Sequence, residues 1–353
     1  MTKSSHFRMG TLARDLRLAK RGGGLIIINY KSRAEWHNAR RPAAATTSRI
    51  APAVREDPIP REPMLLRTVH LTKDYNGFRA LDDLNLTVKP GEAFGLLGPN
   101  GSGKSTALRL ILGFLKPTNG HAYIADHDCW RAGVAARKSV AYLPGELRLY
   151  ENMTGRQLID FLAKLREAPI KADIEALARR LDIELDRPIV QLSSGMKRKV
   201  ALIQVLAPHT PLLILDEPTN TLDPTMRDEL MAQLINARNH GQAVLFSSHV
   251  LSEVEHVCDR VGILQRGKLV HLQNMAELRD ANSVFVRFSR PLVALPEGKG
   301  VKVHEKGEDF LKLEQTGPLQ PLLDWLARQS VAELRVEPLG LSAIYHRFHG
   351  VAG

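Results

Sequence analysis

The stretch Gly98-Pro99-Asn100-Gly101-Ser102-Gly103-Lys104-Ser105, followed by Thr106, decides how the rest of the chain is read. It has the spacing G-x-x-x-x-G-K-[ST], in which glycines let successive backbone N–H groups turn inward and cradle anionic oxygens. In such a loop Lys104 reaches the β- and γ-phosphates, and the Ser105 hydroxyl is a ligand for Mg²⁺. Residues 92–97 before it form a short apolar run that reads as a buried strand. After it, Ala107, Leu108, Ile111 and Leu112 are spaced as one helix face that ends near Gly113 and Pro117. Strand, glycine loop and helix is the order that aims a helix N-terminus at a phosphate. A glycine-rich turn that merely contains Lys does not account for that context, so the loop predicts a bound nucleoside triphosphate.

Working outward, the 353 residues can bury one large core or two modest ones. The net charge of +11 would suit nucleic acid or an anionic surface, but its distribution argues otherwise. Residues 1–63 hold thirteen Lys and Arg against five Asp and Glu, so +8 lies there and the rest carries an ordinary +3. This first stretch lacks a sustained hydrophobic period, as expected of a solvated extension. An organelle transit peptide is one reading of it and nucleic-acid binding another. The plainer one is that Met64 begins the functional protein, because organised patterning starts there, with residues 1–63 an upstream extension of little role. Cys129 and Cys258 form no C-x-x-C pair, and a disulfide framework is not expected. The run Leu25-Ile-Ile-Ile28 is far short of the roughly 20 residues that span a bilayer, so no intrinsic membrane span is expected.

From Met64 to Val88, short alternating apolar runs read as strands with turns at Asn76-Gly77 and Lys89-Pro-Gly91. Tyr75 beside the first turn can stack on a purine base or simply cover the hairpin. Residues 120–125 and 140–143 read as further strands. Residues 153–187 are helical: Thr154-Gly-Arg-Gln157 is a capping box, and Leu158, Ile159, Phe161, Leu162 and Leu165 make one stripe before Pro169. A second helix covers roughly 172–181. Leu192-Ser-Ser-Gly-Met196 opens another helix that Ser193 or Ser194 caps, and spacing alone says no more than a capped amphipathic helix.

Pro211-Leu-Leu-Ile-Leu-Asp-Glu-Pro218 is a continuous apolar strand that ends in two carboxylates. A buried parallel strand delivers its last residues to the rim where ligands bind. Asp216 there suits Mg²⁺, and Glu217 suits the activation of a water that attacks the γ-phosphate. Asn220-Thr-Leu-Asp-Pro224 reads as a turn into a helix over 226–237. The strand 243–247 then brings Ser248 and His249 to the same rim, where His249 is placed to touch the γ-phosphate or its water; His240 and His256 read as structural. Residues 261–272 form a hairpin. Beyond it come a short helix, four strands (284–288, 301–303, 310–313, 334–336) and two helices (321–328, 341–348), a small α+β unit with no catalytic motif.

With these motifs in this order, residues 65–272 resemble an ABC ATPase. The resemblance implies an α/β fold: a P-loop NTPase core of the ABC type with an antiparallel β subdomain and a helical subdomain at about 147–190. The implied division is a basic extension at 1–63, the ATPase domain at 64–272 and a C-terminal α+β unit at 273–353. It implies ATP and Mg²⁺ as cofactors and assigns roles residue by residue. Tyr75 stacks on adenine, Gly98 to Thr106 hold the phosphates, and Ser105 and Asp216 hold Mg²⁺. Glu217 is the catalytic base and His249 the switch histidine. Asp223 is the D-loop acid. Ser193, Ser194 and Gly195 form the signature that contacts ATP on a second, head-to-tail subunit. One chain carries one of each motif, so a homodimer or a paired ATPase domain is implied.

Two departures stand out. Ser194 and Met196 replace a glycine and a glutamine of the signature. Gly145 occupies the place of a glutamine that approaches Mg²⁺, which makes the next residue, Glu146, a candidate metal ligand. The loop Tyr142-Leu-Pro-Gly-Glu146, the stretch Leu149-Tyr-Glu-Asn-Met-Thr-Gly155 and the C-terminal unit resemble ATPases of ABC-2 type exporters. That likeness implies a separate transmembrane permease docked near residues 148–166, a place on the cytoplasmic face of the cell membrane, and no nucleic-acid partner. A soluble relative acting on DNA or ribosomes would carry coiled-coil insertions, zinc cysteines or two ATPase units, and none is in the chain. Intact Lys104, Asp216, Glu217 and His249 argue against a regulatory module with degenerate chemistry, although Gly145 leaves room for one.

Overall fold

The computed structural model describes residues 64–166, 171–291, 295–296 and 300–349. Every expectation about residues 1–63 lies outside them. The fold is assembled from three sheets. Strands β1 (Leu66–Tyr75) and β2 (Phe78–Val88) form the expected hairpin, and β3 (Ala93–Leu97) leads into the glycine loop and helix α1 (Lys104–Ile111). Next come β4 (Asn119–Ile124), β5 (His127–Asp128), α2 (Gly133–Lys138) and β6 (Val140–Leu143). The helical segment contains α3 (Gly155–Arg166), α4 (Lys171–Arg180) and α5 (Ser194–Leu206). It is followed by β7 (Leu212–Asp216), α6 (Pro224–Asn239), β8 (Ala243–Ser248), α7 (Leu251–Val257), β9 (Arg260–Gln265) and β10 (Lys268–Asn274). The remainder is α8 (Met275–Arg279), β11 (Ala281–Phe288), β12 (Val301–Lys306), β13 (Phe310–Thr316), α9 (Gln320–Leu326), β14 (Val331–Pro338) and α10 (Leu341–His349).

The central sheet has the order β10-β9-β3-β8-β7-β6, parallel except for the β10 edge. Its inner strands β3, β7 and β8 are buried along their whole length because both faces are covered. Alternate side chains of β3 show this directly. Phe94 and Leu96 join a core with α1 and the antiparallel sheet β2-β1-β4-β5, whereas Ala93 and Leu97 join a core built with the helices of the other face. All parallel strands therefore end at one rim, which receives Gly98 after β3, Pro144 after β6, Glu217 after β7 and His249 after β8.

The capping box at α3 forms as the sequence indicates. Thr154 N–H donates to Gln157 Oε1 at 3.0 Å, and Gln157 N–H donates to Thr154 Oγ1 at 3.2 Å. The C-terminal sheet, β12-β13-β11-β14, is antiparallel and is backed by α9 through Leu322 and Leu326. The last helix does something that pattern reading did not anticipate. Leu341 and Ile344 of α10 enter the core on the helical face of the central sheet. Gln265 Nε2 donates to the Phe348 carbonyl at 2.6 Å, the Phe348 ring stacks on His271, and Arg347 reaches Glu314 of β13 at 3.1 Å. One helix thus clasps the β9–β10 hairpin and the C-terminal sheet together.

Both cysteines are buried and free. Burial first, then the Asp128 carboxylate, pushes the Cys129 thiol up to about 12, and burial likewise raises Cys258. Neither thiol should react with a disulfide reagent at pH 8 in the folded protein, and both should react once it is denatured; labelling of the native protein would contradict this burial.

Candidate functional site

The glycine loop is shaped by contacts that only glycine permits. At Gly103, φ is +108°, and a Cβ built there would lie 2.7 Å from the Ala80 carbonyl oxygen, which packs the β1–β2 hairpin against the loop. At Gly98, φ is +154°, and a Cβ would fall 2.4 Å from the Leu264 carbonyl. Helix α1 then begins with no side-chain cap and no acid in its first turn, so its N–H groups and positive dipole end remain for an anion. Lys104 is buried and donates to the carbonyls of Gly98 at 2.7 Å and Pro99 at 3.2 Å. Burial lowers its pKa, while the carboxylates of Glu217 and Asp216 act to raise it. The lysine at the start of α1 and the acids at the end of β7 thus face each other electrostatically.

Asp216 ends β7 almost fully buried, and its Oδ1 accepts a 2.5 Å hydrogen bond from Ser247 Oγ of β8. Glu217 has φ +47°, an uncommon left-handed conformation for a side chain of this kind. Its N–H is held by Ser247, by the carbonyl at 3.1 Å and by Oγ at 3.1 Å. Asn220 Nδ2 donates to Glu217 Oε2 at 2.7 Å, and His249 Nδ1 lies 3.6 Å from the same oxygen. That separation is beyond a hydrogen bond but within direct electrostatic reach. The structure therefore brings Lys104, Asp216, Glu217 and His249 together, as expected from their motifs.

Below them, Glu253 of α7 is buried and accepts from Thr219 Oγ1 at 3.0 Å and Ser248 Oγ at 2.9 Å. It ties the loop after Glu217 to the strand end that carries His249.

The signature segment caps α5 as read: Met196 N–H donates to Ser193 Oγ at 3.2 Å, and Ser193 and Ser194 are exposed. A Cβ on Gly195 would sit 2.8 Å from the Thr221 carbonyl, so the helix start is pressed against the turn that leads to Asp223. Asp223 itself is exposed and caps α6, accepting from Met226 N–H at 3.0 Å. Tyr75 is 43% exposed at the tip of the β1–β2 hairpin, opposite Phe78, with Lys73 Nζ 5.0 Å from its ring centroid. Ser105 is exposed at the start of α1.

Glu146 is exposed, whereas Gly145 is the residue next to the acid: a Cβ there would stand an ordinary 3.5 Å from Asp216 Oδ2. Among the described residues no group of three or more His, Cys, Asp or Glu is placed to hold a metal. The donor set on hand, one hydroxyl and one carboxylate beside a phosphate cradle, fits Mg²⁺, which is commonly held by one or two protein oxygens together with substrate phosphates.

Pattern reading missed Arg198, Ser247 and Asn220. Arg198 of α5 is 4% exposed and donates to the carbonyls of Pro144 at 3.1 Å and Gly145 at 2.7 Å. Burial lowers its pKa, with Asp216 and Glu217 opposing. A signal was present: Arg198 lies on the same helical stripe as Leu202 and Val205.

Fold and site together define a P-loop nucleotide-binding domain whose glycine loop, acid pair and histidine stand at one rim. Residues 81–220 match the family described as ABC transporter. The ABC transporter ATP-binding protein YhcH of Bacillus subtilis is 33% identical over 232 residues, which are 64% of this chain and 76% of that protein. The bacitracin transport ATP-binding protein BcrA of Bacillus licheniformis is 34% identical over 231 residues, 64% of this chain and 74% of that one. A solved ATP-binding subunit of an ABC transporter superposes with TM-score 0.57 at 29% identity, covering 61% of this chain and 92% of that one. The chain belongs to the family of ABC transporter ATP-binding proteins. No helix among its described residues is long and apolar enough to cross a membrane.

Proposed function

We propose that this chain hydrolyses ATP to drive a separate export permease of the ABC-2 type. The observation that carries the hydrolytic part is Glu217, whose strained backbone and Asn220 contact aim its carboxylate into the rim beside His249 and Lys104. Export is supported by the likeness to the bacitracin transport protein and by the C-terminal unit that follows the ATPase. The division proposed is an ATPase domain at 64–272 and an accessory unit at 273–353, with residues 1–63 as an extension. The proposed place is the cytoplasmic face of the membrane, through the permease.

The glycine loop and α1 bind the triphosphate, Lys104 sets its charged end, and Tyr75 stacks on the base. Ser105 and Asp216 are the residues that would hold Mg²⁺, which when bound offsets charge on the phosphates. Glu217 takes a proton from the attacking water, and His249 holds the γ-phosphate side of the pocket. Ser193, Ser194 and Gly195 face outward to a second copy's ATP, with Asp223 at the same interface. Two copies then close over two nucleotides and open after hydrolysis.

Glu146 is expected to contribute nothing to the metal site, because Gly145 is the neighbour of Asp216. Glu146→Ala should leave the Mg²⁺ concentration that gives half-maximal hydrolysis unchanged, and Gly145→Gln should fold normally. A higher Mg²⁺ requirement in Glu146→Ala would restore that residue as a ligand. The function itself is tested by capturing the tagged chain from detergent-solubilised native membranes. A stoichiometric protein with several apolar spans supports the reading; a ribosome or nucleic-acid particle in its place overturns it.

A further inference from the structure

One of the two edges of the C-terminal sheet is a long strand with no second partner among the described residues. β14 (Val331–Pro338) pairs only with β11, and it is eight residues long, whereas edge strands in stable monomers are kept short or broken by proline and inward charges. Register places Val336 opposite Val284 and Leu334 opposite Val286, so both share the face that α9 covers. Cover ends before reaching them: Val284 and Val286 are sealed, whereas Leu334 is 40% and Val336 38% exposed. The opposite face of the strand carries Glu333, Arg335 and Glu337, with Arg335 and Glu333 in contact at 2.5 Å.

We propose that this edge pairs with the same strand of a second copy, antiparallel and centred on Leu334, to make one continuous eight-stranded sheet. Charge points to a second copy as occupant and leaves two centres, Leu334 and Val336, where Arg335 faces Glu333 or Glu337 of that copy. Length then chooses Leu334, which pairs residues 331–337, whereas Val336 pairs only 334–338. A two-fold axis that keeps each face of the sheet continuous must pass through a residue pair, because directly opposed residues point the same way. Centring on Glu333 sets that carboxylate against its own copy, and centring on Arg335 opposes the two guanidiniums as well as Glu333 and Glu337. Centring on Leu334 places Glu333 opposite the second copy's Arg335 twice, an alternating quartet of charge. On the other face it sets Leu334 against Leu334 and Ala332 against Val336, which covers the exposed apolar strip. The pairing needs no nucleotide, and it differs in this from the closure of two ATPase domains over ATP. It keeps two copies together while their nucleotide sites are open.

The test uses the full chain without nucleotide. Sedimentation should show a dimer that Glu333→Arg and Arg335→Glu each weaken at least tenfold, and that the double swap Glu333→Arg/Arg335→Glu restores. Leu334→Cys should form an intermolecular disulfide on mild oxidation, against little background because Cys129 and Cys258 are buried. A mixture of Ala332→Cys and Val336→Cys chains should cross-link as a heterodimer. A monomeric nucleotide-free chain without the Leu334→Cys cross-link overturns the pairing, and so does a dimer indifferent to both charge reversals. Either result leaves the ATP-dependent dimer untouched, since that is read separately from ATP-bound protein.

Discussion

Glu217→Gln should lower ATP turnover by about two to four orders of magnitude, the range for loss of a positioned general base, and should trap the chain as an ATP-bound dimer. The substitution is isosteric. Glutamine keeps an oxygen to accept the Asn220 Nδ2 hydrogen bond, and Ser247 still holds the backbone of residue 217 in its left-handed turn. What disappears is the carboxylate proposed to take a proton from water. Binding, by contrast, depends on the glycine loop, the bare start of α1 and Lys104, none of which changes. A bound γ-phosphate that is no longer cleaved keeps bridging one copy's loop and the other's signature. Steady-state hydrolysis and sedimentation of the ATP-loaded variant check both halves. Turnover near the wild-type rate would remove Glu217 from its role.

Arg198→Ala should destabilise the ATPase core by about 3 kcal/mol, the lower end for losing two hydrogen bonds from a charged donor worth about 1.5–3 kcal/mol each. For a domain of this size that corresponds to a Tm lower by roughly 6–12 °C. The buried guanidinium joins three parts of the site: the helix that starts at Ser193, the Pro144–Gly145 loop whose carbonyls it holds, and the acid pair Asp216–Glu217 whose charge it faces. Without it, the loop beside Asp216 is no longer tied to the signature helix, and turnover should fall about tenfold with a smaller change in ATP affinity. Arg198→Lys keeps the charge but not the fork that spans two carbonyls, so it should fall between the two. Calorimetry and hydrolysis rates measure this, and an unchanged Tm in Arg198→Ala would show that the two bonds carry no stability.

The parts that were legible without coordinates share a property: their logic is contained in a few consecutive residues. The glycine loop needs its spacing, the capping box at Thr154 and Gln157 needs three residues, and the strand ending at Asp216 is buried because an apolar run of that length must be. Even the C-terminal α+β unit was readable from alternation and turns, with strand ends shifted by a few residues because ladder partners extend a strand past its apolar stretch.

The order of the motifs along the chain, and hence the nucleotide-binding class and its acid pair, followed from the amino-acid sequence by itself. Only the tertiary structure decided that Gly145 packs beside Asp216 while Glu146 is exposed, that Ser247 and Asn220 hold the two acids, and that α10 packs into the core of the central sheet. It alone shows that β14 stands at an open edge. The physical reason is range. Capping, periodicity and turn preference act within a turn or two of chain, whereas each of these contacts joins segments whose neighbourhood is created by burying the two faces of one sheet.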